Sequence, residues 1–326
     1  MYNPPFTITP KILNLVGEIT EVITKLEMLS FNIDLKLRKI SKIKTITGTL
    51  QIEGNTLTEE KVTAILEGKR VLGSLKEITE VKGAIALYEN IDKFDYQNLD
   101  DLLKAHKILM QDLLKDAGSF RNSNVGVGNL SEIVHIAPPA KQIPMLMQNL
   151  FDWLKVDIHP LIKSSVFHYE FEFIHPFVDG NGRIGRFWQT LILYNWKKVF
   201  LNIPIESIVR DTQDEYYKAI EKSSEMADSY PFIEYMLESI LTICKETLQN
   251  VPINDLKNDP KKRINKILEL IKENKFITIK ELADKLNVSE KTIKRDLDKL
   301  KKDNALKRIG KKGGYWEIGK KQILKD

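Results

Sequence analysis

The sequence predicts a mainly α protein: a helical body that carries one β-hairpin, followed by a small α+β domain. Three observations carry this reading. Apolar residues recur at helical spacing through most of the chain up to about residue 250. Strand-like runs in that body are confined to the stretch between Phe120 and Ala140. A polar, proline-marked stretch, Val251-Pro252 through Asp259-Pro260, then separates the body from a lysine-rich tail.

The first helix is expected from Lys11 to about Ser30, on the spacing of Ile12, Leu15, Val16, Ile19, Val22, Ile23 and Leu26. A second is expected over about Lys36–Leu50, stopped by Glu53-Gly54-Asn55, where glycine can take φ > 0. Thr58-Glu59-Glu60-Lys61 reads as a cap and a new start, and further helices are expected near Ser74–Asn90, Leu99–Leu113 and Ile143–Lys155. Asn124–Asn129 and Ile133–Ile136 form the expected hairpin, ended by Pro138-Pro139. A lone hairpin is marginal in water, so this one must lie against helices, where it can clamp something over a site. Leu161–Ile174 is helical in pattern and Pro176 forbids its simple continuation. Ile184 to about Trp196 is apolar on nearly all sides and is expected to be the central buried helix.

Composition bounds the function. The chain is 42% hydrophobic and 29% charged, enough for a real core and unlike a disordered chain. No apolar run approaches the roughly 20 residues that cross a bilayer, and Met1-Tyr2-Asn3-Pro4-Pro5 lacks a signal-peptide pattern. Cys244 is the single cysteine, which excludes an internal disulfide and argues against a cysteine-based zinc site. Together these predict a cytoplasmic protein that does not engage a membrane. The net charge of +5 is uneven: Leu256–Asp326 carries 22 Lys plus Arg and 11 Asp plus Glu, or +11, leaving −6 for the rest. The basic tail suits a polyanion, and a lysine-rich solvated surface accounts for it equally well.

His175-Pro176-Phe177-Val178-Asp179-Gly180-Asn181-Gly182-Arg183-Ile184-Gly185-Arg186 reads as a phosphate cradle. Gly180 and Gly182 let successive N–H groups face one point, and the curl runs into a helix whose first N–H groups also favour an anion. Arg183 and Arg186 are three apart on one helix face, and their planar forks suit phosphate oxygens. Asp179 is a hard oxygen ligand suited to Mg²⁺, which commonly takes one or two carboxylates plus substrate phosphates. His175, with a near-neutral pKa, can serve as general base toward a hydroxyl. Each part alone has an ordinary structural explanation; the twelve residues together do not. No Gly-Lys-Ser/Thr closes the run, so it is not a Walker A loop.

These twelve residues match the signature H-P-F-x-D/E-G-N-G-R-x-x-R, and through them the chain resembles the Fic family. The resemblance extends from Gly118-Ser119-Phe120-Arg121 through the hairpin to about Ser224. It implies a Fic-type helical core with a β-hairpin flap, and transfer of AMP from ATP, with Mg²⁺, to Ser, Thr or Tyr hydroxyls of proteins, this chain included. By resemblance His175 deprotonates the target hydroxyl and Asp179 holds Mg²⁺. Gly180, Asn181, Gly182 and Gly185 belong to the nucleotide-binding set, with Arg183 on the phosphates and Arg186 on the γ-phosphate. Phe177 is a core anchor, and the hairpin aligns the target chain by strand addition. Tyr216 and Tyr217 resemble a pair that lines the nucleotide site, and plain core packing fits them equally. His106, His135, His159 and His168 need no function; His168 lies seven residues before His175 and is assigned to packing.

Thr49-Leu50-Gln51-Ile52-Glu53-Gly54 resembles the inhibitory helix S/T-x-x-x-E-G/N of many Fic proteins, in which the glutamate pairs with the second motif arginine, here Arg186. A carboxylate there takes the place of the γ-phosphate and misplaces the nucleotide for in-line attack. The tail resembles a winged helix-turn-helix of the DeoR kind: helices over Arg263–Glu273, Ile279–Leu286 and Ser289 to about Lys302, then strands Leu306–Ile309 and Tyr315–Ile318 around a basic turn. Lys291, Lys294, Arg295, Lys311 and Lys312 are its candidate DNA contacts; protein contact or dimerisation is the rival use.

The expected organisation is therefore an N-terminal helical region over 1–95 with the inhibitory helix at about 44–54, a catalytic core over 96–250, a linker over 251–262 and the winged helix-turn-helix over 263–326. The expected activity is self-inhibited protein adenylylation. Two alternatives stay open: removal of AMP from a modified protein, with Glu53 orienting water, and an ATP-sensing transcription regulator. The expected partners are a protein substrate on the flap, the chain itself and DNA at the tail, with a homo-oligomer left open.

Overall fold

The computed structural model describes residues 2–30, 35–128, 133–250, 260–286, 288–303, 305–310 and 314–319, the side chains of 29–30, 35–37, 126–128, 133–136, 250, 261 and 262 excepted. The expected linker segment 251–259, Asn129, Asn287 and the wing lysines Lys311 and Lys312 lie outside the described residues, as does the side chain of His135. The chain divides into two compact units, Met1–Leu248 and Gln249–Asp326. Both are mainly helical, and each carries one two-stranded antiparallel sheet.

In the first unit α1 (Pro10–Ser30) and α2 (Leu35–Ile52) open the fold. Ile12, Ile19, Ile23 and Leu26 of α1 are fully buried, as their spacing predicts. Gly54 stops α2 at φ 85°, with its N–H on the Gln51 carbonyl and the Asn55 N–H on that of Leu50. Thr58 caps α3 (Glu59–Leu66), and Ser74 forms a capping box with Glu77 at the start of α4 (Leu75–Glu89). After α5 (Leu99–Met110) come β1 (Gly126–Gly128) and β2 (Ile133–Ile136), paired Gly126 to Ile136 and Val127 to His135, with a register shift before Gly128. Then follow α6 (Ile143–Trp153), α7 (Pro160–Ile174) and α8 (Asn181–Trp196).

Helix α8 is the buried centre, with every residue from Arg183 to Leu193 buried. It starts three residues earlier than the apolar pattern predicts. Gly180 sits in the left-handed region at φ 86° and turns the chain so sharply that Asn181 is already helical. The helices α9 (Ile205–Asp211), α10 (Gln213–Met226) and α11 (Tyr230–Asn250) complete the unit. Gly48 lets α2 come close to α9: a Cβ there would lie 2.8 Å from the backbone carbon of Glu206. This close approach fixes the height of α2, and with it the place of Glu53.

The second unit consists of α12 (Pro260–Glu273), α13 (Ile279–Lys285), α14 (Glu290–Lys302), β3 (Leu306–Ile309) and β4 (Tyr315–Ile318). Thr278 and Ser289 cap α13 and α14 through their side chains, as the sequence predicts. Ile267, Leu282, Ile293, Leu297 and Trp316 form the core. The buried Arg263 of α12 pairs with Asp296 of α14 and ties the first helix to the third. Among the described residues no helix is long and apolar enough to cross a membrane.

Gly48→Ala should force α2 away from α9, because backbone is what the new methyl meets. Such overpacking costs about 1–3 kcal/mol, read as a lowered Tm in thermal melts of the full chain. An unchanged Tm would show that α2 is not held at this distance.

Candidate active site

The site loop begins where α7 ends. His175 closes that helix in the left-handed conformation (φ 49°, ψ 60°), an unusual backbone for a residue with a side chain. Arg121, buried to 3% exposure, holds it there. Its guanidinium donates to the carbonyls of His175 (2.8 Å), Ser123 (2.7 Å) and Pro138 (2.7 Å), and its N–H donates to Pro176 (2.9 Å). One side chain thereby fastens the loop to both feet of the hairpin.

Phe177 is fully buried and stacks on His106 with ring centroids 3.7 Å apart. His106 Nδ1 accepts from the Gly118 N–H at 2.8 Å, so Nε2 carries the proton and donates to the Asp179 carbonyl at 3.0 Å. Burial pushes this imidazole down to about 4, against the opposing effect of the Asp179 carbonyl. Asn181 clips the loop from the other side: its Oδ1 accepts from the Phe177 N–H and its Nδ2 donates to the Phe177 carbonyl, both at 2.9 Å.

Held this way, the loop delivers the N-terminus of α8. The N–H groups of Asn181, Gly182 and Arg183 belong to its first turn and have no acceptor within the helix. Arg183 is 3% exposed; its Nη2 donates to Asp179 Oδ1 at 2.7 Å. Its Nε and Nη1 are buried without a hydrogen-bond partner among the described residues. Two buried guanidinium donors beside a helix N-terminus match the oxygens of a phosphate. The Asp179 side chain is nearly half exposed. Among the described residues no group of three or more potential ligands could hold a metal ion. Asp179 is an oxygen ligand of the kind that Mg²⁺ takes together with substrate phosphates.

One turn further, Arg186 is 3% exposed and bonded to α2 through Nε and Nη2. Its Nη2 donates to Glu53 Oε1 at 2.6 Å and to the Thr49 carbonyl at 3.1 Å, and its Nε donates to Thr49 Oγ1 at 3.0 Å. Burial is the largest influence and works against the Arg186 charge, but Glu53, Tyr216 and Glu172 together hold the pKa above its ordinary value. Glu53 also lies against Gly182, where a Cβ would collide with its carboxylate. Glu172 of α7 faces the same region; burial pushes it up to about 8, with Arg186 opposing and Glu53 adding.

The structure thus places Glu53, Asp179, Gly180, Asn181, Gly182, Arg183 and Arg186 around one helix start, with His175 at the loop's root. Three expected members take other positions. Gly185 is inside α8, where its N–H serves the helix ladder; a Cβ there would meet Glu172, His168 and Phe171 of α7 at 3.0–3.3 Å. It is a packing glycine and not a phosphate donor. Tyr216 is 2% exposed with its hydroxyl 3.1 Å from His168 Nε2, so it lies in the core, while Tyr217 is half exposed beside Gln213. His168 is fully buried between Gln189 and Tyr216, in line with a packing role. The sequence names Arg121 only where the resemblance starts and Asn55 only in a helix stop, and it does not single out Glu80, described below. Arg121 acts on a carbonyl 54 positions away, and Glu80 on an amide and a guanidinium 25 and 103 positions away, which no local pattern announces.

Comparison with known proteins places these features. Residues 96–193 match the Fic/DOC family, and residues 263–315 match the DeoR-like helix-turn-helix domain. The chain is 38% identical to a Fic family protein from Desulfovibrio desulfuricans G20 of solved structure, covering 99% of this chain and 100% of that one, with a TM-score of 0.75. It is 28% identical over 214 residues to the protein adenylyltransferase Fic of Drosophila willistoni, and 29% identical over 221 residues to that of Culex quinquefasciatus. These matches cover 62% and 63% of this chain but only 41% and 42% of the relatives' length.

His106 generates a pH prediction. Its folded pKa is depressed, so the stability tied to its neutral form is full above about 6.5 and is lost as pH falls toward about 4. Wild type should therefore lose about 2 kcal/mol at pH 5 relative to His106→Gln, compared with their difference at pH 7.5. Denaturant melts at the two pH values give the difference; a pH-independent gap would show that His106 is not held neutral.

Proposed function

The chain belongs to the Fic family, and from that premise we propose that it is a self-inhibited protein adenylyltransferase that moves AMP from ATP to hydroxyls of proteins, its own included. The observation that carries this reading is the pair of buried Arg183 donors at the start of α8, beside Asp179 and below His175. The names of the curated relatives support the same reaction.

In this reading the first-turn amides of α8 and Arg183 bind the phosphates. His175 takes the proton of the target hydroxyl as its oxygen attacks the α-phosphorus and pyrophosphate departs. The hairpin presents the target chain by strand addition. Bound at Asp179, Mg²⁺ would neutralise charge on the phosphates; the residues named do the positioning. Glu53 is the brake. Its carboxylate sits on Arg186, the group assigned to the γ-phosphate, and so adds both bulk and negative charge where an anion must fit.

The tail reading is DNA binding. On α14, Lys291, Lys294 and Arg295 are exposed, while Ile293, Leu297 and Leu300 are buried in the domain core. This sets three cations on the exposed side of α14, with Lys294 3.7 Å from Glu290 and Arg295 4.0 Å from Asp296, a side suited to a groove.

Two outcomes test the catalytic proposal together. Glu53→Gly should raise labelling of the chain and of lysate proteins by radiolabelled ATP, up to about a hundredfold if the nucleotide is misplaced by an ångström. Adding His175→Ala to that variant should cut labelling about 10²–10⁴-fold with ATP binding retained. Equal labelling by wild type and Glu53→Gly would remove the brake. Release of AMP from a pre-modified target by wild type without ATP would instead assign Glu53 to the reverse reaction.

For the tail, affinity for duplex DNA in a salt series should fall steeply with salt in wild type. The slope should lessen by about one for each of Lys291, Lys294 and Arg295 replaced by Ala. Absence of salt-dependent binding in wild type would leave protein contact as the use of this domain.

A further inference from the structure

Arg183 has a second carboxylate neighbour, which no motif names. Glu80 projects from α4 and is buried to 9% exposure. Its Oε1 lies 3.8 Å from Arg183 Nη1. Its Oε2 accepts from Asn55 Nδ2 at 2.8 Å. Asn55 belongs to the turn that ends α2 directly after Glu53 and Gly54. The same amide donates to the Glu77 carbonyl at 3.2 Å, and Asn55 Oδ1 accepts from the Leu57 N–H at 3.0 Å. The Asn55 N–H closes the end of α2 onto Leu50. Asn55 is 6% exposed, so the polar chain Arg183–Glu80–Asn55 runs through the interior. Lys76, 3.9 Å from Glu80 and largely exposed, is the remaining charge beside it.

We infer that Glu80 is a positioning residue for the nucleotide: it fixes the phosphate-binding Arg183 in place and ties it, through Asn55, to the turn that carries the inhibitory Glu53. This rests on the reading of Arg183 as a phosphate ligand. The physical case is charge compensation. A guanidinium with two unpartnered nitrogens stays buried only beside a fixed counter-charge. Asp179 bonds Nη2 at 2.7 Å, but it sits on the loop, is nearly half exposed, and is the residue suited to a metal ion. Glu80 stands on a helix, buried, and its far oxygen is tethered. It therefore sets a fixed negative charge beside Nη1 without hydrogen-bonding it, so the Nε and Nη1 donors remain available to an incoming oxygen. Two arginines of one helix are thus each governed from the α2 end: Arg186 directly by Glu53, Arg183 indirectly by Asn55 and Glu80.

The test uses the full chain carrying Glu53→Gly, so that the brake does not mask binding. Glu80→Gln keeps the shape and an oxygen for Asn55 but removes the charge facing Arg183; Glu80→Asp keeps the charge. ATP dissociation constants are measured by equilibrium titration, and AMP transfer by kcat and KM. Glu80→Gln should weaken ATP binding and raise KM about tenfold, with kcat within about twofold. Glu80→Asp should recover most of the affinity. In the chain with Glu53 intact, Asn55→Ala should raise AMP transfer by loosening the turn. Unchanged or tighter ATP binding by Glu80→Gln overturns the proposal, as does a fall in kcat at constant KM. Equal loss in Glu80→Gln and Glu80→Asp, or a Glu80→Gln chain too unstable to bind together with a stable Glu80→Asp of unaltered affinity for ADP but impaired for ATP, also overturns it. A Glu53→Gly parent that binds no ATP would overturn the nucleotide reading itself; a parent that binds ATP equally with and without Glu80→Gln overturns only the role of Glu80.

Discussion

Arg186 is a guanidinium buried one turn inside the central helix, and a charge in that position must be paired. Burying it without a partner would cost several kcal/mol. In this chain the partner comes from α2: Glu53 supplies the charge, and Thr49 accepts twice more through its hydroxyl and carbonyl. Much of the first unit can be understood as the means of bringing α2 to that point. Gly48 allows α2 to lie against α9, Gly54 stops the helix directly after Glu53, and Asn55 fastens the turn to α4.

The loop before α8 solves a second problem, that of keeping a bent, polar backbone segment in one shape near the core. It does so with side chains. Arg121 satisfies carbonyls at its start, His106 a carbonyl at its middle, and Asn181 both polar groups of Phe177. These bonds go to main chain, so they set geometry independently of which nucleotide or target is present. The unpartnered donors of Arg183 stand out against this background, beside the open first-turn N–H groups of α8.

Much of this was legible in the sequence, for identifiable reasons. Helix spacing and caps depend on neighbours three or four residues away, so α1, the Thr58 and Ser74 starts, and the tail elements could be read locally. The motif was legible because its parts are contiguous, and Glu53 because a short pattern marks it. The start of α8 was misjudged because its first residues are polar, and a left-handed glycine rather than an apolar stripe begins the helix. Gly185 was assigned to the nucleotide because it lies within the motif; only the packing of α7 on α8 reveals its use. Helices α9 to α11 were not delimited. In α10 only Tyr216, Ala219 and Ser223 are buried, a stripe too thin to read without its neighbours. The roles of Arg121 and Glu80 were missed because they act on groups 54 and 103 positions away.

The central claim is that Glu53 and the γ-phosphate compete for Arg186. Dissociation constants for ATP and for ADP, measured by titration calorimetry in wild type and in Glu53→Gly, test it most directly, since the two ligands differ by that phosphate alone. The account predicts that the substitution tightens ATP binding severalfold or more and leaves ADP binding nearly unchanged. An equal change for both nucleotides, or none for ATP, would contradict it.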